Sequence, residues 1–244
     1  MTYLKIHQNQ KNRLQAYEPK RIDLEITRKC PIDCPMCPRV TGKGKKDKWM
    51  LDHISLDAIR NISKIKSLDV VSICGIYGDG IYHPKFHEIL KIFKDSHVRI
   101  NLETNGAHRS QEWWEKCEGL FKPGNNEIHG DSVTFSIDGL EKNNHMYRIN
   151  TNWDSIMTGV KTLRRVCPDI RLIWKWIYFK YNQYDTLEGY KLSKELGFDS
   201  FEIVESARTN DPNLFPSELR DIYLTTRPIQ EAIEEINLYK EQQK

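Results

Sequence analysis

Residues 22–37 read Ile-Asp-Leu-Glu-Ile-Thr-Arg-Lys-Cys-Pro-Ile-Asp-Cys-Pro-Met-Cys, an alternating, strand-like run followed by a loop with three cysteines. Cys30, Cys34 and Cys37 form a C-x3-C-x2-C cluster with two interleaved prolines. Thiolates are soft ligands that favour zinc or an iron–sulfur cluster. Because three ligands rather than four leave one coordination position free, the loop predicts a metal centre with an open site for chemistry.

Two other interpretations of the cluster stay open at this point. A structural zinc site normally has four protein ligands in paired sets, and a ferredoxin-type cluster needs a fourth cysteine. No second pair follows, since Cys74, Cys117 and Cys167 are scattered singly. The ligand count therefore favours an open iron–sulfur cluster over zinc, and we expect the three single cysteines to be packing residues.

The composition indicates a globular protein and excludes several classes. A chain of 244 residues is long enough for one domain with a sizeable core. With 29% charged residues and a net charge of +3, the chain shows no strong nucleic-acid signal. The lysine-rich stretch Lys43–Lys48 is interpreted as a solvated loop. No apolar run approaches the ~20 residues of a membrane helix, and the N-terminus lacks the apolar core of a signal peptide. We therefore expect a cytoplasmic protein with no membrane partner, whose clustered cysteines serve a metal or catalysis.

Strand-like and helical segments alternate along the middle of the chain. Helix starts are predicted at Ser55, Pro84, Ser110, Asp154 and Asp185. Such alternation predicts right-handed βαβ units and a parallel sheet. The predicted strands are Ile22–Thr27, Asp69–Cys74, Val98–Thr104, Ser132–Asp138, Arg171–Phe179 and Ser200–Glu205.

Three of these strands have one polar and one apolar face. The polar sets are Asp23, Glu25 and Thr27; Asn101, Glu103 and Asn105; and Thr134, Ser136 and Asp138. A doubly wound sheet covered by helices should be apolar on both faces. The pattern therefore favours an α/β fold of another kind, a partial (βα)6 barrel of parallel strands with a polar interior; a half-solvated sheet is the alternative. We predict an N-terminal extension at 1–21, the core at 22–208 and a short helical C-terminal tail at 209–244.

Segments at the ends of four successive predicted strands resemble motifs of the radical S-adenosylmethionine (radical SAM) superfamily. The cysteine loop is similar to the one that holds a [4Fe–4S] cluster in that family, where SAM chelates the fourth iron. Residues 77–84, Tyr-Gly-Asp-Gly-Ile-Tyr-His-Pro, resemble the family's Gly-Gly-Glu-Pro segment, although the first glycine, the glutamate and the proline are replaced. Residues 104–106 are similar to its Thr-Asn-Gly, and residues 136–139 to its Ser-x-Asp-Gly. In α/β barrels, ligands bind at this carboxyl edge.

The resemblance implies a role for each motif. It makes Cys30, Cys34 and Cys37 the ligands of one [4Fe–4S] cluster, with SAM as the second cofactor. Met36 stands where the family usually has an aromatic residue beside the adenine, and a thioether can also pack on a purine. The residues implied to hold the amino end of SAM are Gly78, Asp79 and Gly80, and those implied to fix its ribose and carboxylate are Thr104, Asn105, Ser136 and Asp138.

The resemblance also implies the reaction. One electron from the reduced cluster cleaves SAM to methionine and a 5′-deoxyadenosyl radical, which abstracts hydrogen from a substrate. The electron donor would be a protein such as flavodoxin or ferredoxin. Since no cysteine follows Cys167, we expect one cluster and no auxiliary centre.

The substrate is inferred from fewer residues. Glu25, Glu103 and Lys175 are predicted to face the interior of the barrel and to favour a polar substrate. Residues 176–182 resemble the branch of the family with peptide- and protein-modifying members. A peptide or protein side chain is therefore the leading substrate class. The alternatives are a nucleotide or other small metabolite, and, in a different class of function, a non-catalytic iron–sulfur or zinc module.

Overall fold

The computed structural model describes residues 18–41, 53–75, 77–124, 130–210, 215 and 217–243. The lysine-rich stretch at 43–48 and residues 1–17 of the predicted N-terminal extension lie outside these ranges. The described strands are β1 (Arg21–Leu24), β2 (Val70–Ile73), β3 (Arg99–Thr104), β4 (Ser132–Ser136), β5 (Arg171–Tyr178) and β6 (Ser200–Glu205). The described α-helices are α1 (Pro38–Thr41), α2 (Leu56–Ser63), α3 (Phe86–Lys94), α4 (Gln111–Glu115), α5 (Trp153–Val166), α6 (Thr186–Glu195), α7 (Arg220–Tyr223) and α8 (Ile229–Gln242).

The six strands form one parallel sheet in chain order, β1-β2-β3-β4-β5-β6. Helices connect the strands, as parallel pairing requires. In the described part of the chain β1 and β6 are the outer strands, so the sheet does not close on itself. The prediction of an open, partial (βα)6 barrel with a helical tail is confirmed.

One face of the sheet is apolar and lies under the helices. The register places Leu24, Ile73, Leu102, Val133 and Leu172 side by side across five strands. All but Leu24 are fully buried. Helix α3 packs its apolar side, with Phe86, Ile89, Leu90 and Phe93, into the same core. Burial of this continuous surface supplies the main driving force for the fold.

The opposite face carries the polar side chains predicted from the alternation. Asn101, Glu103 and Lys175 are only partly buried, and they alternate with the core residues along β3 and β5. Ser132 donates a hydrogen bond to Asn101 across the strands at 3.0 Å. This surface, called here the polar face, leads toward the carboxyl ends of the strands.

Two predicted helix starts are confirmed by capping bonds, and two are wrong. The Oγ atoms of Ser55 and Ser110 accept backbone N–H groups at 3.2 and 3.3 Å. Helix α5, in contrast, is capped by Asn152, whose Oδ1 accepts the amide of Ser155, while Asp154 lies inside the first turn. Helix α3 begins at Phe86 rather than Pro84, because a turn involving the ring of His83 precedes it.

The first strand ends earlier than predicted. It stops at Leu24 rather than Thr27, because Thr27 forms an antiparallel bridge with His53 and Ile26 accepts the amide of Ile54 at 3.0 Å. The chain after β1 is therefore held by the segment before α2, and Glu25 lies just beyond the end of the strand.

The C-terminal tail packs on the last βα unit. Helix α8 contacts α6 and β6, and Ala232 and Ile236 are its buried residues. Tyr223 of α7 is also buried, and its hydroxyl donates to the carbonyl of Met146 at 2.7 Å. None of the helices in the described ranges has the length and apolar character needed to cross a membrane.

Candidate active site

A cleft of about 570 Å³, including open space at its mouth, lies at the carboxyl ends of the first four strands. It brings together most of the residues predicted for the site, although they come from four separate parts of the chain. The predicted residues on its wall are Cys30, Cys34, Cys37, Gly78, Asp79, Glu103, Thr104, Asn105 and Ser136.

The cysteine loop is fixed both from within and from outside. The amide of Cys37 donates to the carbonyl of Cys34 at 2.9 Å, and α1 follows directly. Asp33 pairs with Arg39 at 3.1 Å, and its own amide donates to the carbonyl of Ile149 at 2.9 Å. These bonds hold the loop against the segment after β4, so that its thiols line the cleft.

Polar N–H groups point at two of the sulfur atoms. Asn105 Nδ2 lies 3.6 Å from Cys30 Sγ, and an Arg148 guanidinium nitrogen lies 3.8 Å from Cys34 Sγ. Burial raises the pKa of the Cys30 thiol to about 12, with nearby Asp79 adding to the shift. Burial also raises the pKa of Cys34, although Arg148 opposes this.

This donor set fits the implied iron–sulfur cluster. Buried thiols with raised pKa values are neutral by themselves, whereas a bound metal centre supplies the positive charge that deprotonates them. The N–H groups at Cys30 and Cys34 would then donate to thiolate sulfurs, an interaction that tunes such clusters. A site for one single metal ion is a different arrangement. Across the described ranges, no three His, Cys, Asp or Glu side chains lie close enough together to hold one.

The turn after β2, here the glycine turn (Gly75 and Tyr77–Asp79), lies directly on the chain that leads to the cysteines. A Cβ at Gly78 would overlap the carbonyl oxygen of Thr27. The amide of Asp79 donates to the carbonyl of Lys29 at 2.9 Å. Only glycine allows so close an approach of two backbones, and the result places the second motif beside Cys30.

The buried carboxylate of Asp79 connects the second and third motifs. It accepts hydrogen bonds from the Thr104 hydroxyl at 3.0 Å and from the Asn105 backbone and side-chain amides at 2.7 and 2.5 Å. A further bond comes from the amide of Ile81 at 3.2 Å. Burial raises the pKa of Asp79, and these hydrogen bonds oppose the rise. The side chain thus holds β3 to the glycine turn, while contact of this segment with SAM stays a prediction.

The third motif is a tight turn that requires its glycine. Gly106 has φ +69°, a left-handed conformation that favours glycine, and a Cβ there would lie 2.8 Å from the Phe135 ring. Thr104 Oγ1 accepts the amide of Gly106, and Asn105 Oδ1 accepts the amide of Ala107. The turn therefore orients Asn105 toward both Asp79 and Cys30.

Asp138 of the fourth motif is completely buried and lies behind the cleft wall. Its Oδ2 pairs with Arg148 Nε at 2.6 Å, and its Oδ1 accepts the amide of Ile177 at 2.7 Å. Burial raises the pKa of Asp138, and Arg148 opposes the rise. Ser136 lines the cleft, whereas Asp138 reaches it through Arg148.

Sequence reasoning missed two arginines on the cleft wall. Arg148 lies in the connection after the fourth motif, and Arg208 follows β6; the latter donates to the carbonyl of Met36 at 3.2 Å. Neither stands in a spacing pattern that a single sequence would reveal. Arg148 places positive charge beside Cys34, and Arg208 adds a second positive charge to the same cleft wall.

Five predicted residues, Glu25, Met36, Gly80, Glu103 and Lys175, lie in different environments. Glu103 lies on the cleft wall and pairs with Lys175 at 3.4 Å. Glu25 instead accepts backbone amides of the glycine turn. The Met36 side chain is fully buried in the core, and Gly80 packs against the side chain of Ile73, so neither is part of the cleft wall.

Solved structures with the same fold include known SAM-binding proteins. SuiB of Streptococcus suis bound to S-adenosylmethionine has a TM-score of 0.69 and 13% identity over 98% of this chain and 52% of that one. SuiB bound to precursor peptide SuiA gives 0.69 and 14% identity, over 98% and 50% of the two chains. Methylornithine synthase (PylB) gives 0.54 and 11%, over 76% and 52%. The chain thus spans about half the length of these structures.

No curated protein sequence is significantly similar to the chain. The model of the Radical SAM superfamily matches residues 24–223, which include all four motifs and the whole cleft. That match covers most of the 244 residues. The chain therefore belongs to the radical SAM superfamily of SAM-dependent enzymes.

Proposed function

We propose that the protein holds one [4Fe–4S] cluster through Cys30, Cys34 and Cys37 and binds SAM in the adjoining cleft. The observation that carries this proposal is the convergence of the three thiols with Gly78, Asn105 and Ser136 on one cleft wall. When bound, the cluster would supply the electron for reductive cleavage of SAM and so for hydrogen abstraction from a substrate. A protein such as flavodoxin or ferredoxin would deliver that electron, and a reducing cytoplasm would suit free thiols.

The chain's own residues would orient the reactants. The glycine turn would receive the amino end of SAM, and Ser136 with Arg148 would face its carboxylate, since a guanidinium is the preferred partner of such a group. Asp138 would hold Arg148 in place, because it pairs with it at 2.6 Å. Asn105 would donate to the sulfur of Cys30.

For the substrate, we propose a peptide or protein side chain. Glu103 and Lys175 belong to the polar face, and both side chains are partly exposed. They could therefore bind a polar group of a substrate next to the cleft. SuiB, which has the same fold, is known in complex with a precursor peptide.

A small zwitterionic metabolite is the second candidate. The Glu103–Lys175 pair has opposite charges 3.4 Å apart, and this arrangement would match the ammonium and carboxylate groups of an amino acid. Methylornithine synthase shows that this fold also occurs in an enzyme named for a small amino acid.

Anaerobic reconstitution with iron and sulfide tests the core of the proposal. We expect a brown protein with about four irons per chain, as a cubane cluster requires. After reduction with dithionite it should convert SAM to 5′-deoxyadenosine, quantified by chromatography. A colourless protein that binds zinc, or SAM that stays intact after reduction, would contradict the proposal.

Deuterium transfer identifies the substrate class. Candidate peptides and amino acids, each carrying deuterium on its carbon atoms, are incubated with the reduced enzyme and SAM. We expect deuterium in 5′-deoxyadenosine from a labelled peptide, measured by mass spectrometry. Transfer from a free amino acid, with none from peptides, would favour the metabolite instead.

A further inference from the structure

We propose that Glu25 is a positioning residue that holds the glycine turn in the conformation able to bind SAM. From the sequence alone, this carboxylate is predicted to face the substrate. The inference rests on the proposed function, because it assigns a role within the same SAM site.

The contacts of Glu25 are directed at the backbone of the turn. Its Oε1 accepts the amide of Tyr77 at 2.6 Å and the amide of Gly78 at 2.7 Å. Two successive N–H groups therefore converge on one carboxylate oxygen from a residue more than fifty positions earlier in the chain. The turn therefore depends on an acceptor oxygen at this place and distance, a need that the side-chain oxygen of a glutamine can also meet.

The same turn has two more attachments to the chain that follows Glu25. Gly78 touches the carbonyl of Thr27, and the amide of Asp79 donates to the carbonyl of Lys29 at 2.9 Å. The chain from Glu25 to Lys29 thus serves as a platform under the turn, and it runs straight into Cys30. Through this platform, the position of the turn is fixed relative to the first thiol.

Glu25 differs in this respect from the other carboxylates of the polar face. Asp23, on the same side of the chain two residues earlier, has a side chain that is 65% exposed, and among the described residues it pairs with exposed Arg21. Glu103 pairs with Lys175 across the sheet. Of these three carboxylates, Glu25 alone binds backbone N–H groups on the cleft wall.

The physical consequence concerns the backbone that would meet SAM. Without an acceptor, the two N–H groups would need water or a shifted turn, since unpaired polar groups inside a protein are costly. A shifted turn would present its remaining backbone groups at the wrong position. SAM affinity should fall, whereas the thiols, which Glu25 does not touch, should keep their cluster.

Two conservative variants separate positioning from charge. Glu25→Gln keeps the length and an acceptor oxygen but removes the charge. Glu25→Asp keeps the charge but is one methylene shorter, so it cannot reach the two amides without movement. Asp23→Asn is the matched control, because it removes a carboxylate from the same side of the chain without touching the turn.

The measurement is the SAM dissociation constant of the reconstituted, reduced proteins, followed through the change in the cluster's electron paramagnetic resonance signal. Because only cluster-bearing molecules give that signal, differences in iron loading do not affect the result. We expect Glu25→Asp to bind SAM about tenfold more weakly, Glu25→Gln within about threefold of wild type and Asp23→Asn unchanged.

The outcomes distinguish the possibilities. Equal SAM affinity of the two Glu25 variants, or weaker binding by Glu25→Gln than by Glu25→Asp, would overturn the positioning role. A substrate contact through charge predicts the reverse order, expressed in the substrate KM and not in SAM binding. If wild-type protein with its cluster binds no SAM, the proposed function itself fails, independently of Glu25.

Discussion

Cys34→Ala protein should reconstitute without a stable [4Fe–4S] cluster and should produce no 5′-deoxyadenosine above background. Cys34 is buried beside Arg148 at the centre of the cysteine loop. Apart from Cys30 and Cys37, which are needed as the other two ligands, no cysteine of the described chain lines the cleft and could replace it. With two thiolates left, the cluster would lose one iron ligand and with it the geometry that leaves a single open site. Iron content, the visible absorption spectrum and SAM cleavage measure the effect together.

The matched control is Cys117→Ala. Cys117 is also buried but lies in the core outside the cleft, where its carbonyl accepts from the thiol of Cys167 at 3.4 Å. The substitution should cost about 1 kcal/mol of stability, as the loss of one small buried group does, and should leave iron content and SAM cleavage unchanged. A Cys34→Ala protein with four irons and normal cleavage would rule out the proposed ligand set.

Arg148→Met is expected to lower the free energy of unfolding by about 3–5 kcal/mol, the usual cost of leaving one partner of a buried ion pair alone. The Asp138 side chain is fully buried and that of Arg148 is 14% exposed. Removing the guanidinium leaves a carboxylate with the amide of Ile177 as its remaining bond partner at Oδ1. Denaturant unfolding of the variant and wild type measures the difference.

Two further proteins make the interpretation specific. Arg60→Met removes one partner of an exposed pair with Asp57 at 2.7 Å and should cost less than about 0.5 kcal/mol. In the double variant Arg148→Met/Asp138→Asn, the asparagine oxygen still accepts the amide of Ile177, and no charge is left buried at these two positions. It should therefore recover part of the lost stability. If Arg148→Met proves no more destabilising than Arg60→Met, the pair does not stabilise the fold.

The sequence predicts the architecture well because the relevant signals are local. Alternation along β3 assigns Glu103 and Leu102 to opposite faces, and this follows from strand geometry alone. The capping serines at 55 and 110 are recognised because they act within one turn of chain. The end of β1 could not be predicted, since it depends on the bridge from Thr27 to His53, a contact that forms only in the folded chain.

The residues of the site can be predicted from the sequence about as well as the fold. The three thiols and the glycine-containing turns are conspicuous in the sequence, and the structure gathers them in one cleft. A sequence pattern does not show which partner a carboxylate side chain binds in the folded protein. Glu25 and Glu103 stand on the same predicted face, yet one binds backbone amides and the other binds Lys175. Arg148 was missed because its importance comes from distant partners, Asp138 and Cys34.

The bonding of Asp79 has an evolutionary consequence. Its carboxylate satisfies Thr104 and Asn105 at once, so a change at any one of the three alters the surroundings of the other two. A lineage could replace this trio stepwise only through intermediates with an orphaned buried donor or acceptor. We therefore expect Asp79 and the Thr104–Asn105 pair, which are more than twenty positions apart in the chain, to change together rather than singly.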